Sequence, residues 1–383
     1  MAPLNYLAPA PYAVFHTRNG VFQADANSLI SNIGAGEQAL DLLESGCTPL
    51  PFNPFANFRN LIDGGDFSIN PFQRNIPGLA SGGVITTPIA ATPGYFADRF
   101  FAAGAAASAI LMAAVADASV PGFNQSLKVS RKSGNANTSA IKFGQVIETL
   151  DSLRCQGQTV TLSFWGSAGA NFSGAALTVQ AIAGSGVNQS AASLVAGTWT
   201  SASSPINAAA TLTRTMARYQ FTGVVPSGAT QLAALFSFTP TGTAGADDSV
   251  SINGVQFEIG PSASPFERLN AQVVLELSQR YAWAIPEPAA GVVIGAGANT
   301  GAAAQLIYIA TPVQMLKAPT VTVAAGSFKT MQAGAATTTT ISPGATHTPN
   351  AISITGNSAG TAGQATLLEG GGGSGWIIAS ADF

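Results

Sequence analysis

Apolar and polar residues alternate with period two through much of this chain. In TVTLSFW, Val160, Leu162 and Phe164 alternate with Thr161, Ser163 and Trp165, which predicts a half-buried strand. The same pattern predicts strands at Leu177, Val179 and Ala181, at Tyr219 and Phe221, and at Leu232, Ala234, Phe236 and Phe238. Less regular alternation adds strands near Leu127 and Val129, near Ile141, and at Phe67 and Ile69 after the Gly64-Gly65 turn. In Ser249 to Ile259 the alternation slips at Asn253-Gly254. Val250 and Ile252 share one parity, while Val255, Phe257 and Ile259 share the other. A slip of one residue at a glycine predicts a β-bulge or a chain reversal.

Past this strand the period changes. After a Gly260-Pro261 turn, Val273, Leu277 and Tyr281 recur every four residues, and Asn270 stands where a helix N-cap belongs. Glu276 lies four residues before Arg280, the favourable order for a helical ion pair. A Pro-rich stretch from Ile285 to Ala289 then leads into a second β region. There Leu306, Tyr308 and Ala310 alternate, Val321 pairs in parity with Val323, and Ile352 with Ile354 and Trp376 with Ile378 close the series. Gly370 to Gly373 reads as the loosest loop and is expected to be a mobile tip.

Residues 1–58 keep neither pattern for long. Ala13 to Phe22 predicts a hairpin around Asn19-Gly20, and QALDLLESG predicts a helix of about two turns ending at Gly46. PLPFNPFANF is a semi-rigid spacer whose Phe52, Phe55 and Phe58 call for a partner surface. Too small to bury a core alone, this piece is either a pendant on the neighbouring β domain or an attachment module.

Composition narrows the class. Only 9% of residues are charged, against about 25% in ordinary globular proteins. Forty-two glycines, 22 prolines and long Ala/Ser/Thr runs take their place, so small residues inflate the 46% apolar share. With 15 Lys and Arg and a net charge of −3 there is no basic stripe for nucleic acid. The N-terminus has no cationic region ahead of an apolar run, so no signal peptide is expected. Phe100 to Ala116 is uncharged, but it falls short of the roughly 18 residues a membrane span needs. It reads as a buried strand or packed helix. Cys47 and Cys155 are too few and too far apart to organise a disulfide scaffold, and are read as small buried hydrophobes.

Catalytic chemistry is sparse. His16 and His347 each stand alone in a polar loop context, and no HExxH or CxxC pattern occurs. No catalytic residue and no enzymatic activity are expected. Asp63, Asp66, Asp247, Asp248 and Glu258 fall at the edges of the first and last strands of the first β region. Two readings stand: a structural calcium site, the one candidate cofactor, or solvated turn acids at Gly-rich corners. Trp165, of opposite parity to Phe164, Trp199 in a Ser/Thr loop and Trp376 after the glycine run are the aromatics that alternation places outside a core. Each suits stacking on a sugar ring or a place in a subunit interface.

Several stretches also carry a resemblance. NLIDGGDFSINPFQRN, GYFADRF, GQTVTLSFWGSA, ARYQFTGVVP, SVSINGVQFEIGPSASPFER and ELSQRYAW, in this order over about residues 60–283, resemble the carbohydrate-binding-like jelly roll of bacteriophage tail-fibre and virion-fibre proteins. Two positions depart from that pattern: Ser278 stands where a Cys often precedes the Gln, and Phe100 where a Trp often follows the Asp-Arg pair. MLKAPTV with the terminal GWIIASADF resembles the small β domain that often comes next, and NGVFQADANSLI with DLLESGC resembles a module at the start of phage virion proteins.

The resemblance and the patterns together imply a mainly β protein. Its expected parts are a small α+β attachment module with Pro-rich linker (1–58), a jelly-roll β-sandwich of about eight strands (59–268), a helical hinge (269–289) and a C-terminal β domain (290–383). The implied role is a homotrimeric structural subunit of a virion fibre or spike, made in the host cytoplasm. Its N-terminus would be held by other virion proteins and its β domains exposed to host-surface glycan. The alternative is a free glycan-binding or polysaccharide-degrading protein.

Overall fold

The computed structural model describes residues 59–67, 94–97, 99–324 and 326–382, together with five short strands near the N-terminus. Of those five, β1 (Leu4–Leu7) lies between β4 (Leu29–Ile33) and β5 (Thr48–Leu50), while β2 (Val14–Thr17) and β3 (Gly20–Gln23) form a hairpin. Thr17 faces Gly20 in register, so Gly20 opens the second strand of the hairpin. His16 is therefore a strand residue, opposite Val21, and not a loop residue. The helix expected before Gly46, along with Cys47, Phe52, Phe55, Phe58 and Ile69, lies outside the described residues.

The first β unit is a two-layer antiparallel sandwich of jelly-roll-like kind. One sheet runs in the order β13 (Ser203–Ala210), β12 (Leu177–Gly184), β15 (Gln231–Phe238), β10 (Ile141–Val146), β7 (Phe100–Ala103) and β6 (Gly94–Ala97). The facing sheet runs β14 (Ala217–Val224), β11 (Thr159–Ala168), β16 (Ser249–Ile259), β9 (Gln125–Arg131) and β8 (Ile110–Ala116). These eleven strands exceed the eight expected: GYFA adds β6, the uncharged run after it supplies β7 and β8, and SSPINAAA pairs as β13 at a sheet edge. Between the layers Phe143 stacks on Phe236 at 5.4 Å, and Phe164 from the opposite sheet meets Phe236 edge-on at 5.1 Å. Deleting one such ring costs about 3–5 kcal/mol, so these aromatics fix how the two sheets face each other.

The uncharged run at 100–116 resolves as strands β7 and β8 about a short turn, and no helix among the described residues is long and apolar enough to cross a membrane. Phe67, expected in a strand, instead takes a left-handed backbone (φ 54°) that drives its ring into the core, 5.0 Å from Phe100. Cys155 is a fully buried core residue. Burial pushes its thiol up to about 11, which leaves it protonated and inert at neutral pH.

Among the described residues three α-helices punctuate the strands: α1 (Thr149–Ser152), α2 (Ala191–Val195) and α3 (Ala271–Gln279). Asn270 caps α3 as its position predicts, its side-chain oxygen accepting from the Gln272 amide at 2.9 Å.

The second β unit starts earlier than expected. Residues 282–286 are strand β17 (Ala282–Pro286), not hinge, because they pair with the last strand, β26 (Trp376–Ser380). Pro286 is tolerated at the very end of the strand, opposite Trp376. With β20 (Thr320–Ala324) they make a three-stranded sheet in the order β17-β26-β20. It packs on a seven-stranded sheet ordered β22 (Ala335–Thr338), β21 (Lys329–Gln332), β25 (Ala365–Glu369), β18 (Val293–Gly301), β19 (Ala304–Ala310), β24 (Ala351–Gly356) and β23 (Ile341–Pro343). Ile307, Ile352, Ile354, Leu368 and Ile377 form the dry layer between them. The glycine loop is tied down: the Glu287 carboxylate accepts from the amides of Ser327, Gly371, Gly373 and Gly375 at 2.9–3.1 Å.

Candidate functional site

The slip in strand β16 is a bulge. Ser163 opposes Gln256 and Trp165 opposes Asn253, so Gly254 and Val255 together face the single residue Phe164. The extra residue restores parity: Val250, Ile252, Val255 and Phe257 all point into the core. Gly254 takes φ +55°, and a Cβ there would lie 2.8 Å from the Phe123 ring and 2.9 Å from Trp165. Two aromatic side chains thus close over a position that only glycine can occupy.

The bulge is where the first segment of the sandwich docks. Leu61 donates its amide to the Phe257 carbonyl at 2.8 Å, and Val255 donates to the Gly65 carbonyl at 2.9 Å. Asn60 fastens the chain just after the bulge, its Nδ2 donating to the Val255 carbonyl at 3.0 Å and its Oδ1 accepting from the Phe257 amide at 2.9 Å. A Cβ on Gly65 would sit 2.1 Å from the Val255 carbonyl oxygen, which explains a small residue at this turn.

On the outward side of β16, the loop 260–268 folds back over Gln256 and Glu258. The buried Glu258 carboxylate accepts from Gln256 Nε2 (2.6 Å), Ser264 N (2.8 Å) and Ser264 Oγ (2.6 Å), while Gln256 Oε1 accepts from the Glu267 amide at 2.7 Å. The polar positions of GVQFE are therefore internal fasteners for the PFER turn. Phe266 packs 5.3 Å from Phe123, and the Arg268 guanidinium lies 4.4 Å above the Phe123 ring and bonds Asp66 and the Gly122 carbonyl. Between this loop, the Asp63–Asp66 turn and helix α3 runs a cleft lined by Ile62, Asp66, Phe266, Arg268, Val274 and Leu277.

Deeper in, a polar junction joins the sandwich to the second unit. Asp63 pairs with Arg99, whose Nη2 donates to the Val146 carbonyl at 2.6 Å and whose guanidinium lies 3.6 Å above the Tyr281 ring. Glu148 accepts from Arg280 through Nε (2.9 Å) and Nη2 (2.8 Å), and from the Tyr281 hydroxyl at 2.8 Å. Arg280 therefore leaves its helical neighbour Glu276, which accepts from Gln272 instead. A nearly dry carboxylate with two charged donors outcompetes a solvated pair worth about 0.3–0.5 kcal/mol. Burial alone would raise the Glu148 carboxyl, but the bonds from Arg280 and Tyr281 outweigh it and hold it below its usual value. The main chain continues the connection, since the Arg280 and Tyr281 carbonyls accept from the Leu316 and Ala381 amides at 2.8 and 2.7 Å.

The five acids proposed for calcium are not gathered. Asp63 is engaged by Arg99 and Asp66 by Arg268, while Glu258 holds the Ser264 loop. At the other end of β16, Asp247 pairs with Lys128 at 2.7 Å, and with other donors this holds its carboxyl down to about 2. Asp248 and Arg131, both fully buried, pair at 2.7 Å. Among the described residues no three His, Cys, Asp or Glu side chains converge as a metal ion would require.

The tryptophans have three different environments. Trp165 is half-buried on the outward face of the five-stranded sheet, with Arg218 5.8 Å over its ring. Trp199 is buried, not exposed: it fills a second apolar cluster against Ile182, Leu194 and Leu235, and its Nε1 donates to the Ser190 carbonyl at 3.0 Å. Trp376 is half-buried at the start of β26, its Nε1 buried without a hydrogen-bond partner.

Glu148 and Arg131 were not singled out from sequence. Each sits in a stretch that pattern marks only as strand or turn, and each finds its partner more than 100 residues away. One further motif gives the opposite lesson. Gly356 to Gly360 reads GNSAG, the spacing of a nucleophile elbow, but Ser358 is buried and shares hydrogen bonds with Thr330 and Gln332. Strand β25 comes next in place of the helix that an elbow needs.

The class defined by this architecture is a mainly β protein built on a jelly-roll-like sandwich. No family model and no curated protein matches the chain. Solved structures similar to it include a family 4 carbohydrate-binding module, 18% identical over 35% of this chain and 71% of that one, with TM-score 0.24. Another is the enzymatically active domain of tailspike protein 4 of bacteriophage CBA120, 16% identical over 53% of this chain and 22% of that one, with TM-score 0.30. A third is the xylanase 10B of Clostridium thermocellum with its CBM22-1 and GH10 modules, complexed with xylohexaose, 7% identical over 49% of this chain and 30% of that one, with TM-score 0.28.

Proposed function

We propose that this chain is a structural subunit of a phage virion fibre or spike. Residues 1–58 hold it to other virion proteins, and its β units are exposed for adsorption to host-surface glycan. It assembles as a homotrimer, travels on the released particle, and carries out no catalysis.

The observation that supports this reading is the polar junction. Asp63, Arg99, Arg268, Arg280 and Tyr281 belong to the stretches through which the sequence resembles fibre proteins, and here they tie strand, loop, helix and second β unit together. Their donors and acceptors are turned on one another, which suits a part that must hold its shape at a distance from its anchor. Trp165, half-buried beside Arg218 on an outward sheet face, is the aromatic placed to meet a sugar ring.

Mass spectrometry and immunogold labelling of purified particles test the assignment. The chain is expected at a fixed copy number on one appendage, and its absence from particles overturns the reading. For the glycan step, labelled full-length chain is expected to be retained by host polysaccharide at least tenfold better than Trp165→Ala of unchanged melting temperature. Equal retention removes Trp165 from the site.

A further inference from the structure

At one end of the sandwich two loops enclose a pocket of about 340 Å³, within the roughly 300–1,000 Å³ of small-molecule sites. The cleft beside α3 offers about 30 Å³, room for little more than water. One loop, residues 169–176, joins β11 to β12, and the other, residues 211–216, joins β13 to β14. Both are held in place from the sandwich. Ser173 donates its amide and its hydroxyl to the buried Asp248 carboxylate, each at 2.9 Å, and the Asp247 carboxylate accepts from the Ala170 amide at 3.0 Å. The Ala168 amide donates to the Thr213 carbonyl at 2.8 Å, and the Tyr219 hydroxyl to the Thr211 carbonyl at 3.0 Å. Phe172, edge-on to Phe238 at 5.3 Å, and Leu212 give the pocket its apolar wall. Thr213 and Arg214 give it a polar edge.

Arg214 has no carboxylate partner among the described residues. Arg59, Arg99, Arg131, Arg268 and Arg280 each pair with an acid, whereas Arg214 donates only from Nη2 to the Ala170 carbonyl at 3.0 Å. That bond holds the guanidinium at the pocket with its other donors unused. Asp247, under the first loop, is matched by Lys128 at 2.7 Å, and no described residue that lines the pocket is acidic. We propose that this pocket takes a carboxylate-bearing sugar residue, a uronic or sialic acid unit of a host-surface glycan. The proposal rests on the reading of the β units as glycan-adsorbing and names the class of sugar. A carboxylate accepts two parallel bonds from a guanidinium, and the C–H face of a pyranose packs on Phe172 and Leu212. The Thr213 hydroxyl donates to the Thr215 carbonyl at 2.7 Å, which leaves its lone pairs to accept from a sugar hydroxyl. A neutral sugar would leave the cation unanswered, and a small anion would leave the apolar wall empty.

Ligand-observed NMR titration of the full chain with glucuronate, galacturonate and N-acetylneuraminate tests this, with glucose, acetate and inorganic phosphate as controls. At least one sugar acid is expected to bind at least tenfold more tightly than every control, and more weakly as salt is added. Arg214→Gln, at an exposed position, is expected to lose at least tenfold in affinity at unchanged melting temperature. Ala175→Trp, which fills the pocket without touching the charge, is expected to abolish binding. Binding of no sugar acid, or binding that both folded variants leave unchanged, overturns the site. Glucose bound as tightly as the acids overturns the role of the charge, and acetate or phosphate bound as tightly marks an anion site and overturns the sugar. Binding lost in Trp165→Ala but kept in Arg214→Gln places the sugar on the sheet face, which overturns the pocket and leaves the glycan reading standing. Failure of the virion reading is scored separately, by absence of the chain from particles.

Discussion

Arg280 holds Glu148 with two hydrogen bonds, Nε to Oε2 at 2.9 Å and Nη2 to Oε1 at 2.8 Å, across 132 residues of sequence. Glu148 is 4% exposed, so removing the cation strands a buried carboxylate. Arg280→Met is expected to cost about 2–4 kcal/mol, with the second β unit melting ahead of the sandwich in calorimetry. One unchanged, concerted transition would show that the junction does not couple the two units. The pH dependence comes from the sign of the shift. Since the folded carboxyl lies below its ordinary value of 4.5, the contribution is complete above that value and is lost as pH falls through the lowered one. Glu148→Gln should therefore be less stable than wild type at pH 7, with a difference that shrinks as acid titrates the wild-type carboxylate.

Arg131 and Asp248 make up the deepest ion pair, with both side chains at 0% exposure. Arg131 also donates to the Asn137 and Gly242 carbonyls at 2.8 and 3.0 Å, closing one end of the sandwich. Arg131→Leu leaves Asp248 buried and unpaired, and we expect a loss of about 3–5 kcal/mol in urea unfolding. The double variant Arg131→Leu with Asp248→Leu should recover part of that loss, because it leaves no lone charge.

Gly254→Ala combines a left-handed backbone with contacts at 2.8 and 2.9 Å to two aromatic rings. A destabilisation of about 2 kcal/mol is expected, from backbone strain plus displacement of Phe123 or Trp165. Adding Phe123→Leu should relieve the steric part only. A neutral Gly254→Ala would mean that the bulge tolerates a shifted register.

Glu287 organises a loop that its sequence marks as loose. Its carboxylate accepts from Gly371, Gly373 and Gly375, so those amides should exchange slowly with solvent deuterium. In Glu287→Ala the three should exchange at least tenfold faster while Ile377 and Ala379, fully buried in the core, stay protected. Fast exchange in the wild type would refute the anchoring.

Each acid nominated for calcium already has a cation or hydroxyl partner of its own. Chelation with EDTA, and titration with millimolar calcium, are each expected to move the melting temperature by less than about 1 °C. A larger calcium-dependent rise would mean that at least one of these pairs opens to take the ion.

Local rules read well where they act over a few residues. Alternation located β11, β15 and β19, Asn270 announced its cap, and the parity slip at Asn253-Gly254 announced the bulge. They failed where a distant partner decided. The 282–286 segment looked like a hinge until β26 paired with it, Trp199 looked exposed until α2 and β15 covered it, and Gly370 to Gly373 looked loose until Glu287 reached it. SSPINAAA gave no strand signal, because only Ile206 and Ala210 of this edge strand are buried in the core.

The candidate site divides along the same line. From the sequence alone came the mainly β class, the sandwich succeeded by a second β region, and the motifs at Asp63, Arg99, Gln256, Arg268 and Arg280. The first two are properties of spacing and the motifs are marked by their resemblance to fibre proteins, and folding alters neither. Tertiary structure alone decided what the charged residues do. Whether a carboxylate binds a metal, faces water or meets an arginine depends on which side chains surround it once desolvated. Asp63 and Arg99, Arg131 and Asp248, and Glu148 and Arg280 find each other across the fold, and burial makes an unpaired charge too costly for those positions.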